Sequence, residues 1–367
     1  MRHQLTAFFA SRWGIVLAGV VIGLLAAFLP NLGNPPNMGV CVACFERDIA
    51  GALGLHRAAV VQYLRPEIPA FVLGSFAAAL LFGEFRARAG SAPLVRFFLG
   101  VFAMIGALVF LGCPWRAILR LAGGDWNAII GIAGLALGVG IGGVFIKQGF
   151  SLGRSRQTFK VAGWLMPALM FGILLLALAQ PAFILISEKG PGSLHAPILI
   201  SLAVGLVIGF LAQRTRFCTM GALRDFLLIR DIHLLSGVLA MVVTAFVVNL
   251  VLGQFKPGFA AQPIAHSAYL WNFLGMVLAG LCFALAGGCP GRQLFLSGEG
   301  DTDSGVFVLG MIVGAGFAHN WLLAAAPDKL AEGVLTVGGP GLNGQIAVGI
   351  GLAFCLILGF AMRERFE

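Results

Sequence analysis

The chain predicts an all-α polytopic membrane protein, with about nine to ten transmembrane helices in two inverted-topology repeats and short re-entrant half-helices. Three observations lead there. Of 367 residues, 59% are hydrophobic, only 11% are charged and 52 are glycine, which leaves too little charge to cover a water-soluble surface. Apolar runs long enough to cross hydrocarbon recur along the whole chain. A cysteine pattern also occurs twice: Cys41, Arg47 and Asp48 return 177 residues later as Cys218, Arg224 and Asp225. Gly112-Cys113-Pro114-Trp115-Arg116 returns 176 residues later as Gly288-Cys289-Pro290-Gly291-Arg292, with Gly124-Asp125 falling on Gly300-Asp301. Gly134, Gly138 and Gly140 then stand opposite Gly310, Gly314 and Gly316, so backbone-packing positions repeat along with polar ones. Duplicated halves carrying polar groups in apolar sequence mark many transporters, whose substrate path lies between the repeats.

Taken in order, the spans fall near 13–30, 69–85, 95–112, 126–147 and 160–186, then near 196–213, 234–253, 270–288, 303–326 and 345–362. The second is short enough to be tilted or re-entrant, which leaves the count at nine or ten. The first membrane repeat is 13–147; 148–195 is a linker loop with a connecting transmembrane helix; 196–326 is the second repeat; 327–367 is a C-terminal loop with the last helix. A single connecting helix inverts the second repeat. Arg2, His3 and Arg12 precede an apolar run that no small-residue cleavage site follows, so this run reads as the first span and not as a removable leader. A cytoplasmic N-terminus puts Arg86, Arg88, Arg96, Lys147, Arg154, Arg156, Lys160, Arg214, Arg216, Arg363 and Arg365 on the cytoplasmic side, with Arg57, Arg65 and Lys256 as exceptions. Val42 to Leu55, Pro114 to Leu121 and their counterparts are too brief to span. They read as half-helices, which survive at membrane depth only where protein buries them or water reaches them. Inversion turns Cys41 and Cys113 to the outer face and Cys218 and Cys289 to the inner, giving an hourglass path.

The net charge of +9 comes from basic residues scattered singly, so the bilayer is the expected partner and nucleic acid is not. No phosphate-cradling loop, dinucleotide fingerprint or nucleophile elbow occurs, and neither bound ATP nor such an enzyme activity is expected. Seven cysteines in apolar surroundings read as reduced thiols, and with no second Cys-x-x-Cys and no histidine cluster, neither metal nor cofactor is expected. Proline suits the first turn of a helix, so Cys113 and Cys289 would be N-caps beside free backbone N–H groups. A helix N-terminus draws anions and activates thiols, and Arg116 and Arg292, three residues on, add positive charge. The alternative is a packing kink with an arginine reaching the headgroups. After Cys41, helical spacing puts Cys44 and Asp48 on one face with it and turns Arg47 about 120° away. Asp48 and Asp225 would then cap or bridge neighbouring helices while Arg47 and Arg224 face water or the opposite half. These charges are either structural ion pairs or part of the binding site, and both readings stand. Cys44 falls opposite Gly221, so the second sulfur of Cys41-x-x-Cys44 is outside the duplication. Cys282 and Cys355 have no counterparts and read as packing residues; His56, His195, His233, His266 and His319 do not repeat and read as interfacial.

These cysteine-bearing halves with Gly-Cys-Pro-x-Arg resemble the YeeE/YedE family of sulfur-compound permeases. The stretch Asn34-Pro35-Pro36-Asn37-Met38-Gly39-Val40-Cys41-Val42-Ala43-Cys44-Phe45, continuing from Arg47-Asp48-Ile49 to His56-Arg57, resembles the YedE branch proposed to transport selenium. The resemblance implies a multi-pass importer of the bacterial inner membrane, without ATPase domains and not an enzyme. It takes thiosulfate or a reduced selenium species, sometimes beside a small cytoplasmic sulfur-carrier protein. It implies that Cys41, Cys113, Cys218 and Cys289 are the passage residues, with Cys44, Arg47, Asp48, Arg116, Arg224, Asp225 and Arg292 in support. Both candidate substrates are soft, polarizable anions that sulfur can recognise. Two other classes remain: a membrane thiol–disulfide oxidoreductase working through Cys41 and Cys44, and a channel for a small neutral solute, which leaves the arginines unexplained.

Overall fold

A computed structural model describes residues 2–363; Arg365 lies outside the described residues. Helices α1 (Arg2–Ala10), α2 (Arg12–Phe28), α3 (Val42–Ala52), α4 (Glu67–Phe82), α5 (Pro93–Phe110), α6 (Pro114–Ala122) and α7 (Asn127–Lys147) make the first part of the chain. Then come α8 (Lys160–Ala179), α9 (Ile198–Thr215), α10 (Thr219–Ile229), α11 (His233–Val251), α12 (Tyr269–Ala286), α13 (Pro290–Gly298), α14 (Thr302–Asn320) and α15 (Leu342–Ala361). Among the described residues, 9 helical stretches are long and apolar enough to cross a membrane, and α4 is a shorter apolar helix. Large apolar side chains such as Leu81, Leu94, Val161, Leu199, Val243 and Ile357 stay exposed, as a lipid-facing surface requires. The molecule is an all-α, multi-pass membrane protein.

Two predicted spans end early. Helix α8 stops at Ala179 instead of 186, because Gln180 turns into the left-handed region at φ 42° and Pro181 cannot continue the helix. Helix α14 stops at Asn320 instead of 326, and the chain turns at Leu322, which is also left-handed. The half-helices α3, α6, α10 and α13 have 11, 9, 11 and 9 residues, so each rises about 14–16 Å, half the hydrocarbon thickness.

The glycines explain how the long helices pack. No methyl group fits between Gly134 of α7 and the Phe273 carbonyl of α12, or between Gly310 of α14 and the Phe97 carbonyl of α5. Gly138 against Val277 and Gly314 against Val101 continue the two seams one turn on. Helix α2 meets α11 in the same way, Gly19 on Gly237 and Gly23 on Met241, and α9 meets α4 through Gly209 on Phe71. Lipid offers helices no hydrophobic drive to associate, so close backbone approach at small residues supplies the attraction. Loops cross over too. The N–H groups of Arg86 and Arg88 donate to the carbonyls of Glu299 and Gly300 at 2.9 and 3.1 Å, while those of Lys256 and Gly258 donate to Gly123 and Gly124 at 2.9 and 3.0 Å.

Charges at helix ends and in the loops gather around two carboxylates. Glu84 pairs with Arg214 at 2.9 Å and Arg216 at 3.1 Å, and Glu299 with Arg292, Arg216 and Arg88 at 3.2, 3.3 and 3.6 Å. Burial pushes the Glu84 carboxyl up, but hydrogen bonds from Arg214 and Gln213 and the charges of Arg214 and Arg216 outweigh it and hold it below the usual carboxylate range. Arg65, an exception in the charge distribution, is fully buried and donates to Asp48, Leu194 and Pro191 at 2.8, 2.8 and 2.7 Å. It is a structural bracket, buried in the loop before α4 and turned away from solvent.

Candidate functional site

Each of the four duplicated cysteines caps the N-terminus of a half-helix. Cys41 caps α3 and Cys218 caps α10, each sulfur accepting from the backbone N–H three residues on: Cys44 at 3.4 Å and Gly221 at 3.2 Å. Cys113 caps α6 and Cys289 caps α13, each followed by proline at the first helical position, as the Gly-Cys-Pro reading expected. A helix starts at each motif, after a break in the preceding helix.

The caps meet in pairs. The sulfurs of Cys41 and Cys113 stand 3.8 Å apart, and those of Cys218 and Cys289 3.7 Å apart, all four thiols free. In each pair two helix N-termini converge, so two sets of unpaired backbone donors and two positive dipole ends point at two sulfurs. Such a spot attracts an anion and presents it with polarizable partners. Cys41, Cys113 and Cys289 are fully buried, and Cys218 is 6% exposed.

The first pair has a third sulfur and a cation. Arg116 approaches the Cys44 sulfur at 3.9 Å and donates to the carbonyls of Leu111, Pro263 and Ile264. It is fully buried, its Nε has no acceptor, and among the described residues no carboxylate pairs with it. An uncompensated buried cation is strongly disfavoured unless carbonyl dipoles and an anion balance it. Leu111 closes α5 in the left-handed region at φ 62°, where its counterpart 176 residues on is Gly287 at φ 83°. A side chain there is disfavoured by about 1 kcal/mol, and the Arg116 bond to the Leu111 carbonyl helps hold it. The second pair lacks this cation, because Arg292 turns away to Glu299.

The Arg-Asp pairs are ion pairs in both halves, with different surroundings. Asp48 holds Arg47 at 2.6 Å and Arg65 at 2.8 Å, all three buried. Of the two alternatives for Arg47, water or the opposite half, its 3% exposure rules out water, and Asp48 lies close enough to neutralise it. Arg224 pairs with Asp225 at 2.8 Å but keeps 34% and 21% exposure, so in this half the expectation holds. Cys282 and Cys355 are both buried with sulfurs 3.4 Å apart, packing α12 against α15.

Sequence reasoning missed Arg65, Glu299 and the Arg120–Asp125 pair, which is fully buried at 2.6 Å. Asp125 repeats as Asp301, and that repetition was the available signal; Arg65 and Glu299 repeat nothing. Glu46, fully buried in α3 with no partner for either carboxyl oxygen among the described residues, was likewise missed.

Residues 214–366, which hold Cys218 and Cys289, match the family described as sulphur transport. The thiosulfate transporter TsuA of Escherichia coli (strain K12) is 29% identical over 103 residues. That stretch takes in 28% of this chain and 29% of the relative. The likeness to sulphur-transport proteins thus covers only part of this chain and less than a third of the relative's length.

Proposed function

From that kinship, we propose that the protein is a permease of the bacterial inner membrane, N-terminus in the cytoplasm, importing a small soft anion through a cysteine-lined hourglass path. The substrate is a reduced selenium species or thiosulfate. The observation that carries the reading is the buried, carboxylate-free guanidinium of Arg116 beside Cys44, in the half that also pairs Cys41 with Cys113. A hard oxyanion would satisfy the charge alone; a sulfur- or selenium-bearing anion also satisfies the thiols, and softness is the discriminating property.

Two repeats, 13–147 and 196–326, inverted about the linker at 148–195 and followed by 327–367, account for the exchanged loop contacts and for the matched glycine seams. In this reading the anion enters by Cys41 and Cys113, passes to Cys289 and Cys218, and is released to the cytoplasm, where a small sulfur-carrier protein receives it. Arg47, Asp48, Arg224 and Asp225 hold the half-helices in place, and Arg292, paired with Glu299, ties α13 to the loop that follows it.

A second reading, a membrane thiol–disulfide oxidoreductase, draws on the three sulfurs gathered in the first half. It requires Cys44, which the permease tolerates losing. The test is uptake of labelled thiosulfate and labelled selenite by cells lacking their own importers, with intact protein and with Cys289→Ala. Uptake of either anion, lost in the variant, supports the permease and names its substrate. No uptake of either overturns it in favour of the oxidoreductase.

A further inference from the structure

Trp115 lies two residues beyond Cys113 in α6 and is fully buried, and its counterpart 176 residues on is Gly291 in α13. The two positions touch. A methyl group on Gly291 would sit 3.3 Å from Cε2 and Cζ2 of the indole and 3.4 Å from its Nε1. The missing side chain at 291 is therefore the room that the indole occupies, and the half-helices carrying Cys113 and Cys289 meet at this ring. Phe217, the residue before Cys218, packs edge-on against it at 5.5 Å, with Phe295 and Phe71 at 6.1 and 6.2 Å. A four-ring cluster thus lies between the two cysteine pairs, reached from Cys113 on one side and from Cys218 and Cys289 on the other. A duplicated design would place two identical residues against each other here; one large ring against one glycine closes the gap with a single movable group.

Among the described residues the indole N–H has no acceptor, although it is fully buried. Leaving a buried donor unsatisfied is disfavoured by about 1–3 kcal/mol, and tryptophan N–H groups ordinarily find a partner when buried. With no acceptor among the described residues, the donor has no structural task in the packed state.

We infer that Trp115 is the gate at the waist of the path: its ring separates the two cysteine pairs, and its Nε1–H binds the anion as it crosses between them. The inference rests on the permease reading. When the ring swings aside, it offers the anion a hydrogen bond at the point where water is excluded, and when it swings back, it seals the path against small hydrated ions.

The test uses the full chain in proteoliposomes: wild type, W115F and W115A, each first shown monodisperse in detergent. Uptake of labelled thiosulfate or selenite, whichever the wild type takes up, is measured beside chloride leak. W115F keeps a ring and loses only the donor, so uptake should fall about tenfold or more, the effect of removing one hydrogen bond to a charged group. W115A should pass chloride that wild type retains, which simple loss of packing at a sealed core would not produce. W115F transporting at the wild-type rate together with a chloride-tight W115A overturns the gate. A wild type that takes up neither anion overturns the permease reading itself, a result told apart from the last by the wild-type measurement alone.

Discussion

The two cysteine pairs have nearly the same sulfur separation, 3.8 Å for Cys41–Cys113 and 3.7 Å for Cys218–Cys289, but they are set in different surroundings. Around the first, Asp48 is bracketed by Arg47 and Arg65, Arg120 pairs with Asp125, and all of them are buried. Around the second, Arg224 and Asp225 are partly exposed and Arg292 is spent on Glu299. Both halves keep a sulfur at a helix N-terminus, while the charges behind it diverge. One half is sealed with its Arg116 charge unbalanced; the other is ajar with its charges paired.

The comparison breaks most visibly in stability. Asp48→Ala leaves Arg47 and Arg65 buried without a carboxylate and should destabilise the fold by about 3–5 kcal/mol, whereas Asp225→Ala, at a half-exposed pair, should stay within about 1 kcal/mol. Thermal unfolding in detergent reads both, and equal losses would show the two halves to be alike. Anion affinity sharpens it next. Arg116→Gln should weaken thiosulfate or selenite binding by about tenfold or more, the worth of a hydrogen bond to a charged group, while Arg292→Gln, already neutralised by Glu299, should shift it much less; calorimetric titration of the two variants decides.

Acid should act on the peripheral charges through Glu84. Its carboxyl is held below the usual range, so the stability it contributes is present above the ordinary carboxylate pKa near 4 and is lost as pH falls through its lowered folded value. Melting temperature should therefore stay flat at neutral pH and drop in acid, with a shallower drop in Glu84→Gln. The smallest effect is expected at the unduplicated sulfur: Cys44→Gly, which copies Gly221 of the second half, should leave uptake within about twofold, because one weak sulfur contact is worth a few tenths of a kcal/mol. Loss of all activity in that variant would favour the oxidoreductase.

Much of this organisation was legible in the sequence, because the relevant rules are local. Proline after Cys113 and Cys289 announced two helix starts, apolar length announced the spans, and glycine register announced the seams. Inversion assigned Cys41 and Cys113 to one face and Cys218 and Cys289 to the other, but the approach of the sulfurs within each pair was not read. What stayed hidden depends on contacts far apart in the chain. Arg65 looked like a misplaced surface charge until Asp48, 17 residues away, was seen to hold it. Cys282 and Cys355 looked unrelated until α15 packed on α12. Trp115 read as one letter of a motif, and only contact with Gly291 gives it a place between the halves.

The central claim is that both cysteine pairs lie in series on one path, and its most direct test is uptake by proteoliposomes carrying four single variants: Cys113→Ala, Cys289→Ala, Cys282→Ala and Cys355→Ala. The first two should abolish uptake of the anion that wild type carries while each variant still purifies as a folded protein, and the last two should transport normally. If all four behave alike, whether all silent or all inactive, the two pairs are not serial stations on the path.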